Sequence, residues 1–483
     1  MAEHSAPAPT TGPTSRVLWS HTPGGKRARA RRPGEILSAI SRTRRTAALF
    51  GIDHPIVMET VVEAHEVIAQ LLATRLSLRF SIYEDAFFVE NRVLLEESLQ
   101  LYPLLVEMRE REIGTIELHA GLEAVELRSL VEVLSLIPPD LRHRGGPATA
   151  LEKLGVRHIS VGPAGPPREE LNLKVDPREA YRAGLQVMDE LGFQASRDVP
   201  LDLRKARLVL NSLMDIVAQD KVALLGVSAL KSYDEDTAHH SVNVSILSLV
   251  MGAQLELSRI AMTTLGLASL LHDIGKVRVP RDILTKAGKL TVEEMDIVRR
   301  HTLYGANILR NLPGLARLAM VVAFEHHANY DLTGYPAIAA KNGLHLLTRI
   351  VQVADFFDAA TSSRRVYHRA MLSNEAMTFI LDRAGKIFDP VVAKVFVQQL
   401  GLYPVGSVVE LDTGAVGIVV APGGREVARP VVKVLRTGGR DVTAPYTLNL
   451  GEERERRIVR ALDPVEAGID PGAARQEEEQ AVH

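Results

Sequence analysis

The stretch LLHDIGKVRVP (270–280) decides how this chain is read. His272 follows Leu265 and Ala268 at helical spacing, so it stands on a helix face that should turn inward, and Asp273 comes directly after it. Taken alone, a histidine on an apolar helix face is ordinarily a hydrogen-bonded core residue. Four other segments repeat the pattern. His240 precedes Val244 and Leu247, His301 follows Met295 and Val298, His326 follows Leu318 and Val322, and Asp355 follows Leu347 and Val351. Five predicted helices therefore each turn an imidazole or a carboxylate into the stripe that should face the core. A buried carboxylate among several imidazoles is costly unless a cation neutralises it, and a metal centre is the economical account.

Adjacent residues on a helix diverge by about 100°. His272 and Asp273, and likewise His326 and His327, can then address two sides of one site, and a carboxylate between two histidine-bound ions can bridge them as two-metal hydrolysis requires. The chain has no cysteine, which excludes disulfides, zinc fingers and thiolate catalysis and leaves His, Asp and Glu to hold any metal. Imidazole and carboxylate without thiolate suit iron or manganese, with zinc also compatible. Lys276 falls one turn after Asp273, beside Gly275, where the helix is expected to end. An ammonium there suits charge building on a phosphoryl oxygen, and suits equally well the negative end of a helix dipole.

With 483 residues, 46% of them hydrophobic and 24% charged, the chain has room for several domains with full-sized cores. Its formal charge of −2 gives no reason to expect nucleic acid as a partner. Residues 1–35 mix Pro, Ser, Thr and Gly with Lys26, Arg27, Arg29, Arg31 and Arg32 and lack the apolar core of a secretory signal. A disordered basic tail and a cytoplasmic location are expected. No stretch approaches the roughly 20 apolar residues that span a bilayer. Residues 36–163 combine helical spacing over 56–72 and 127–137 with strand-like runs over 76–82, 86–94, 114–119 and 157–161, the first two joined by a Glu84-Asp85 turn. This predicts an α/β domain for sensing, docking or dimerisation. The segment 164–175 reads as a Gly- and Pro-rich linker, and 176–402 is almost wholly helical. Short Val-rich runs at 407–411, 416–420 and 431–435 predict a small β module over 403–450, followed by a largely disordered acidic tail at 451–483.

In order and spacing, DEDTAHHSVNV (234–244), LLHDIGKVRVP, KAGKLTVEEMDIVRRHTLYGANIL (286–309), HHANYDLTGYP (326–336) and VADFFDAATSSRRVYHRAM (353–371) resemble the HD-GYP branch of the HD phosphohydrolase superfamily, over about 201–402. The expected fold is thus multidomain: an all-α HD-type helical bundle with an N-terminal α/β domain and a small C-terminal β module. The resemblance implies that His240, His272, Asp273, His301, His326, His327 and Asp355 hold two divalent transition-metal ions, iron or manganese foremost. Asp236 stands where some members add an acidic ligand for a third ion, and it equally suits a helix N-cap. Lys276 would contact the scissile phosphate and, with Asp273, forms the catalytic pair. Arg364, Arg365 and Arg369 lie where the family binds nucleotide phosphates, though arginines beside a loop are also ordinary surface, and Tyr335 joins them as a substrate-binding candidate.

Two positions depart from the family pattern. Ala328 stands where glutamate usually follows the paired histidines, and Leu332 where glycine usually follows the loop aspartate. Glycine takes positive φ freely and leucine does not, so the loop path is expected to differ there. All seven proposed ligands remain. The implied function is hydrolysis of a cyclic dinucleotide, cyclic di-GMP foremost, in bacterial second-messenger signalling, with the ribose 3′ oxygen leaving. A phosphohydrolase of another nucleotide and a signalling adaptor that binds cyclic dinucleotide without turnover are the alternatives. Protein partners through the GYP loop or the N-terminal domain, and a homodimer, are compatible with this layout.

Overall fold

The computed structural model describes residues 32–469 apart from 84, 91, 164–173, 229–236, 287, 339–342 and 363–369. Most of the basic tail and of the linker, Glu84 of the expected turn, the end of the acidic tail, and the candidates Asp236, Arg364, Arg365 and Arg369 lie outside the described residues. No helix among the described residues is long and apolar enough to cross a membrane.

The N-terminal α/β region holds an antiparallel sheet of β1 Ser77–Tyr83, β2 Ala86–Val89, β3 Arg92–Leu94, β4 Thr115–His119 and β5 Ile159–Gly162, in the order β3-β2-β1-β4-β5. Tyr83 pairs with Ala86, as a tight turn requires. The single strand expected over 86–94 is two strands, because Glu90 takes φ 54 and the chain doubles back to pair Val89 with Arg92. Helix Pro55–Leu72 buries Val57, Val61, Ala64, Ile68 and Leu72, one face at the spacing read from the sequence. The helix expected over 127–137 is Ala124–Ser135.

Strand β2 is buried along its whole length. Phe87 enters the N-terminal core, whereas Phe88 joins Ala86, Val93, Leu95 and Leu99 in the core of the helical region. Helix Pro177–Ser196 completes that contact, its Glu179 carboxylate accepting the N–H groups of Leu95 (3.1 Å) and Glu96 (3.4 Å) at the start of helix Leu95–Gln100. A linker reading implies few contacts across the boundary, and here the structure corrects it. A strand AFFV, apolar on both faces, leaves water on both only when something covers each side.

The helical region is built around helix Thr237–Gln254, buried almost continuously from His240 to Gly252 because its sequence is apolar or small all round. It packs on helices Arg204–Ser228, Arg259–Leu271 and Leu346–Thr361. The C-terminal module is a second antiparallel sheet of β6 Val408–Leu411, β7 Val416–Ala421, β8 Val431–Thr437, β9 Arg440–Asn449 and β10 Ile458–Leu462, ordered β10-β6-β7-β8-β9. Gly438 and Gly439, both at positive φ (59 and 75), make the two-residue turn between β8 and β9. Strand β10 lies within the segment expected to be a disordered tail. It forms because Ile458 packs on the module's Val409, Leu411 and Val434 core and because β6 would otherwise be left as an unpaired edge.

Candidate metal centre

Helix termini, more than helix faces, position the histidines. His272 is the residue that ends helix Arg259–Leu271, and His326 ends helix Leu318–Glu325. The last carbonyls of a helix lack intrahelical partners. His272 Nδ1–H donates to Ser269 O (2.7 Å), His301 Nδ1–H to Val298 O (2.7 Å) and His326 Nδ1–H to Ala323 O (3.0 Å), each reaching back three residues. With Nδ1 used in this way, each Nε2 presents its lone pair to the centre. The stripe reading of His301 is corrected: helix Val292–Arg299 buries no residue, Met295 is exposed, and His301 starts a separate helix, His301–Leu309. Lys276 likewise lies in a 3-10 turn, Ile274–Arg278, beyond the helix end. That turn sits directly on the next helix, for a Cβ on Gly275 would stand 1.9 Å from His301 O.

The side chains converge on Asp273. Its Oδ2 lies 3.6 Å from His240 Nε2 and 3.3 Å from His272 Nε2, and its Oδ1 lies 3.3 Å from His301 Nε2 and 3.7 Å from His326 Nε2. Asp355 joins the first group, with Oδ1 3.0 Å from His240 Nε2 and 3.8 Å from His272 Nε2. His327 joins the second, within the same ligand-sized grouping as Asp273, His301 and His326. One carboxylate therefore stands between two imidazole groups. His240, His272, Asp273, His301 and His326 are all buried, and His272 Nε2 and Asp273 Oδ1 have no hydrogen-bond partner among the described residues. Buried nitrogen and oxygen donors left without protons to share fit a divalent cation well.

Electrostatics point the same way. Burial alone would push the Asp273 carboxyl up, but the Lys276 ammonium, in contact with Oδ2, and the His272 imidazole hold it well below the usual range. Asp355 is lowered too, against burial, by His240 and His272. Burial opposes charge on His240, yet Asp355 and Asp358 outweigh it and bring it to about 9. The region between these carboxylates favours a positive charge. On the other side, burial depresses His301 to about 4, with Asp273 opposing and His326 adding to the effect. Burial and His326 hold His327 well below its usual value. Those two imidazoles are neutral at pH 7 and able to act as ligands.

Tyr335 stacks beside His327, ring centroids 4.7 Å apart, at the half-buried edge of the centre, with the Arg299 guanidinium 5.3 Å from its ring. Leu332 does not avoid the conformation that glycine favours; it takes φ 65 itself. Ala328 is fully buried, and its carbonyl accepts from Gln352 Nε2 (2.5 Å). It is a core position and not part of a docking surface. The seven proposed ligands and Lys276 thus come together with Tyr335 at their edge. Asp358, behind His240 Nδ1 at 2.7 Å, was not among the sequence candidates.

A family profile described as an HD domain matches residues 211–392, and one described as a KOW domain associated with HD domain matches 408–468. A cyclic di-GMP phosphodiesterase of Pseudomonas aeruginosa is 36% identical over 310 residues, 63% of this chain and 74% of that protein. This chain belongs to the HD-GYP family. The family's other relatives include the cyclic di-GMP phosphodiesterase response regulator RpfG of Xanthomonas campestris pv. campestris, 30% identical over 45% of this chain and 57% of that one. A 3′3′-cGAMP-specific phosphodiesterase of Vibrio cholerae is 36% identical over 35% of this chain and 36% of that one.

Proposed function

We propose that the chain is a metal-dependent phosphodiesterase of cyclic dinucleotides, with cyclic di-GMP as substrate. The observation that carries this is the Asp273 carboxylate, which has one oxygen beside His240 and His272 and the other beside His301 and His326, with Asp355 adjoining the first pair and His327 the second. These seven residues would hold two divalent ions, iron or manganese. Such ions, when bound, lower the pKa of water at the site and neutralise charge on a phosphodiester in its transition state.

The chain's own groups do the rest. The Nδ1–H bonds to helix-end carbonyls fix three imidazoles with their Nε2 atoms turned toward the centre. Lys276, partly exposed and seated on Asp273, can turn its ammonium to a nonbridging phosphate oxygen. Tyr335 can face a base, and Arg364, Arg365 and Arg369 would supply phosphate contacts, with Asp236 as a ligand to a third ion. Cleavage of one P–O3′ bond by water releases a linear dinucleotide with a 5′ phosphate.

Purified protein, metal-loaded and then treated with chelator, tests this. Linear product from cyclic di-GMP that stops on chelation and returns with iron or manganese is expected. Activity on 3′3′-cGAMP alone would move the substrate within the class. Tight binding of cyclic di-GMP with no product by the fully loaded protein would replace the enzyme with an adaptor.

A further inference from the structure

Of the four bonded histidine Nδ1 atoms in the centre, three meet main-chain carbonyls and one meets a carboxylate. His240 is the fourth residue of helix Thr237–Gln254 and has no helix-end carbonyl to use. Its Nδ1–H donates instead to Asp358 Oδ2 at 2.7 Å. Asp358 Oδ1 accepts from Asn243 Nδ2 at 3.0 Å, and Asn243 Oδ1 accepts from Tyr181 OH at 2.9 Å. All four residues are buried. The spacing is helical on both sides: His240 and Asn243 are three apart on one helix, and Asp355 and Asp358 three apart on the helix Leu346–Thr361 that faces it.

We infer that Asp358 is a positioning residue for His240, and that Asn243 and Tyr181 are the fixed chain of donors that holds Asp358 in place. This rests on the reading of His240 as a metal ligand. A carboxylate behind a ligating imidazole does what a carbonyl cannot: it adds full negative charge and raises the basicity of Nε2. The group formed by His240, His272, Asp273 and Asp355 is accordingly the stronger cation binder of the two. Asp358 could not fill this role alone. A buried carboxylate needs its remaining lone pairs satisfied, and the Asn243 amide, oriented by the Tyr181 hydroxyl, does so without adding charge.

The test is metal titration of the full chain with Mn²⁺ against a chromophoric chelator, beside the unfolding midpoint. Wild type should bind two ions in two resolved steps. Asp358→Asn preserves shape and removes the charge, and it should weaken only the tighter step, about 10- to 100-fold. Tyr181→Phe removes one hydroxyl and should weaken the same step by a smaller factor, and adding it to Asp358→Asn should have less effect than it has alone. Should Asp358→Asn fail to fold, Tyr181→Phe decides. Wild-type binding in both folded variants, or equal weakening of both steps, overturns the inference and leaves the proposed function intact. Wild type that binds no metal refutes the proposed function itself.

Discussion

Gly275→Ala tests whether the centre depends on close backbone packing. The new Cβ would lie 1.9 Å from His301 O and 2.4 Å from Gly305 N, both main-chain atoms that no rotamer change can move. Real Cβ atoms essentially never come within 3.0 Å, so the 3-10 turn and the helix His301–Leu309 must part by at least 1.1 Å, the step from 1.9 to 3.0 Å. The clash falls on the carbonyl of His301 itself, whose Nε2 sits 3.3 Å from Asp273 Oδ1 and 3.2 Å from His326 Nε2. Overpacking of this kind costs about 1–3 kcal/mol of stability. A misplacement of about 1 Å in a catalytic constellation costs on the order of 100-fold in rate. The variant should therefore stay folded with a lowered unfolding midpoint, lose metal at one of two positions by elemental analysis, and turn over cyclic di-GMP about 100-fold more slowly. Gly305→Ala is the control, since its Cβ would meet the Ala323 Cβ at 3.3 Å and, at ordinary contact distance, Gly275 N (3.5 Å) and Cα (3.7 Å), and its effects should be much milder. Wild-type metal content and turnover within about twofold in Gly275→Ala would refute the reasoning.

Replacing His272 and Asp273 together with alanine should abolish both metal retention and turnover, because each imidazole group loses the carboxylate it shares; product release at more than a trace would sink the two-metal reading. Leu332→Gly should raise stability by up to about 1 kcal/mol, seen as a higher unfolding midpoint, since leucine is strained at φ 65 and glycine is not. Ala328→Glu should lower stability before it alters substrate binding, because the position is fully buried against Gln352; an unchanged midpoint would contradict this. For Glu126, burial acts to raise the pKa, but N–H donors from Arg157, Glu123 and His158 bring it from 4.5 down to about 2. A carboxylate depressed in the folded state contributes fully above its unfolded pKa and loses that contribution as pH falls through the window from about 4.5 to about 2. Glu126→Gln should thus be less stable than wild type by up to about 3 kcal/mol at pH 7, and urea unfolding should show the gap narrowing at pH 3.

Much of the centre was legible because a polar residue in an apolar helix stripe is conspicuous. That rule correctly singled out His240 and Asp355, which do lie within helices. It succeeded for His272 and His326 for a different reason, since these residues end helices and answer to unpaired carbonyls. It misread His301, whose supposed stripe through Met295 is exposed; one helix ends at Arg300 and a separate helix begins at His301, so the phase of the first does not carry into the second. Asp358 and Asn243 were available to the same rule, each three residues after a candidate and equally buried, yet neither was among the candidates. In the C-terminal module, Gly438-Gly439 is a two-residue hairpin signal, yet β9 beyond it was not among the expected Val-rich runs. Strand β10 offered nothing comparable, because its pairing with β6 depends on a partner nearly fifty residues away and not on local pattern. The docking of β2 on the helical region was implicit in its two adjacent phenylalanines.

That strand bears on how a message could pass along the molecule. Phe87 and Phe88 are neighbours in one strand but belong to different cores. The N-terminal unit is therefore a wall shared by two rooms and not a pendant on a tether. A shift of Phe87 in the N-terminal core moves the same backbone that carries Phe88 in the helical core, so the two cores are mechanically coupled through this strand. Cutting the chain at the linker would strip a partition from the helical side as well, because Ala86, Phe88, Val93, Leu95 and Leu99 belong to its core.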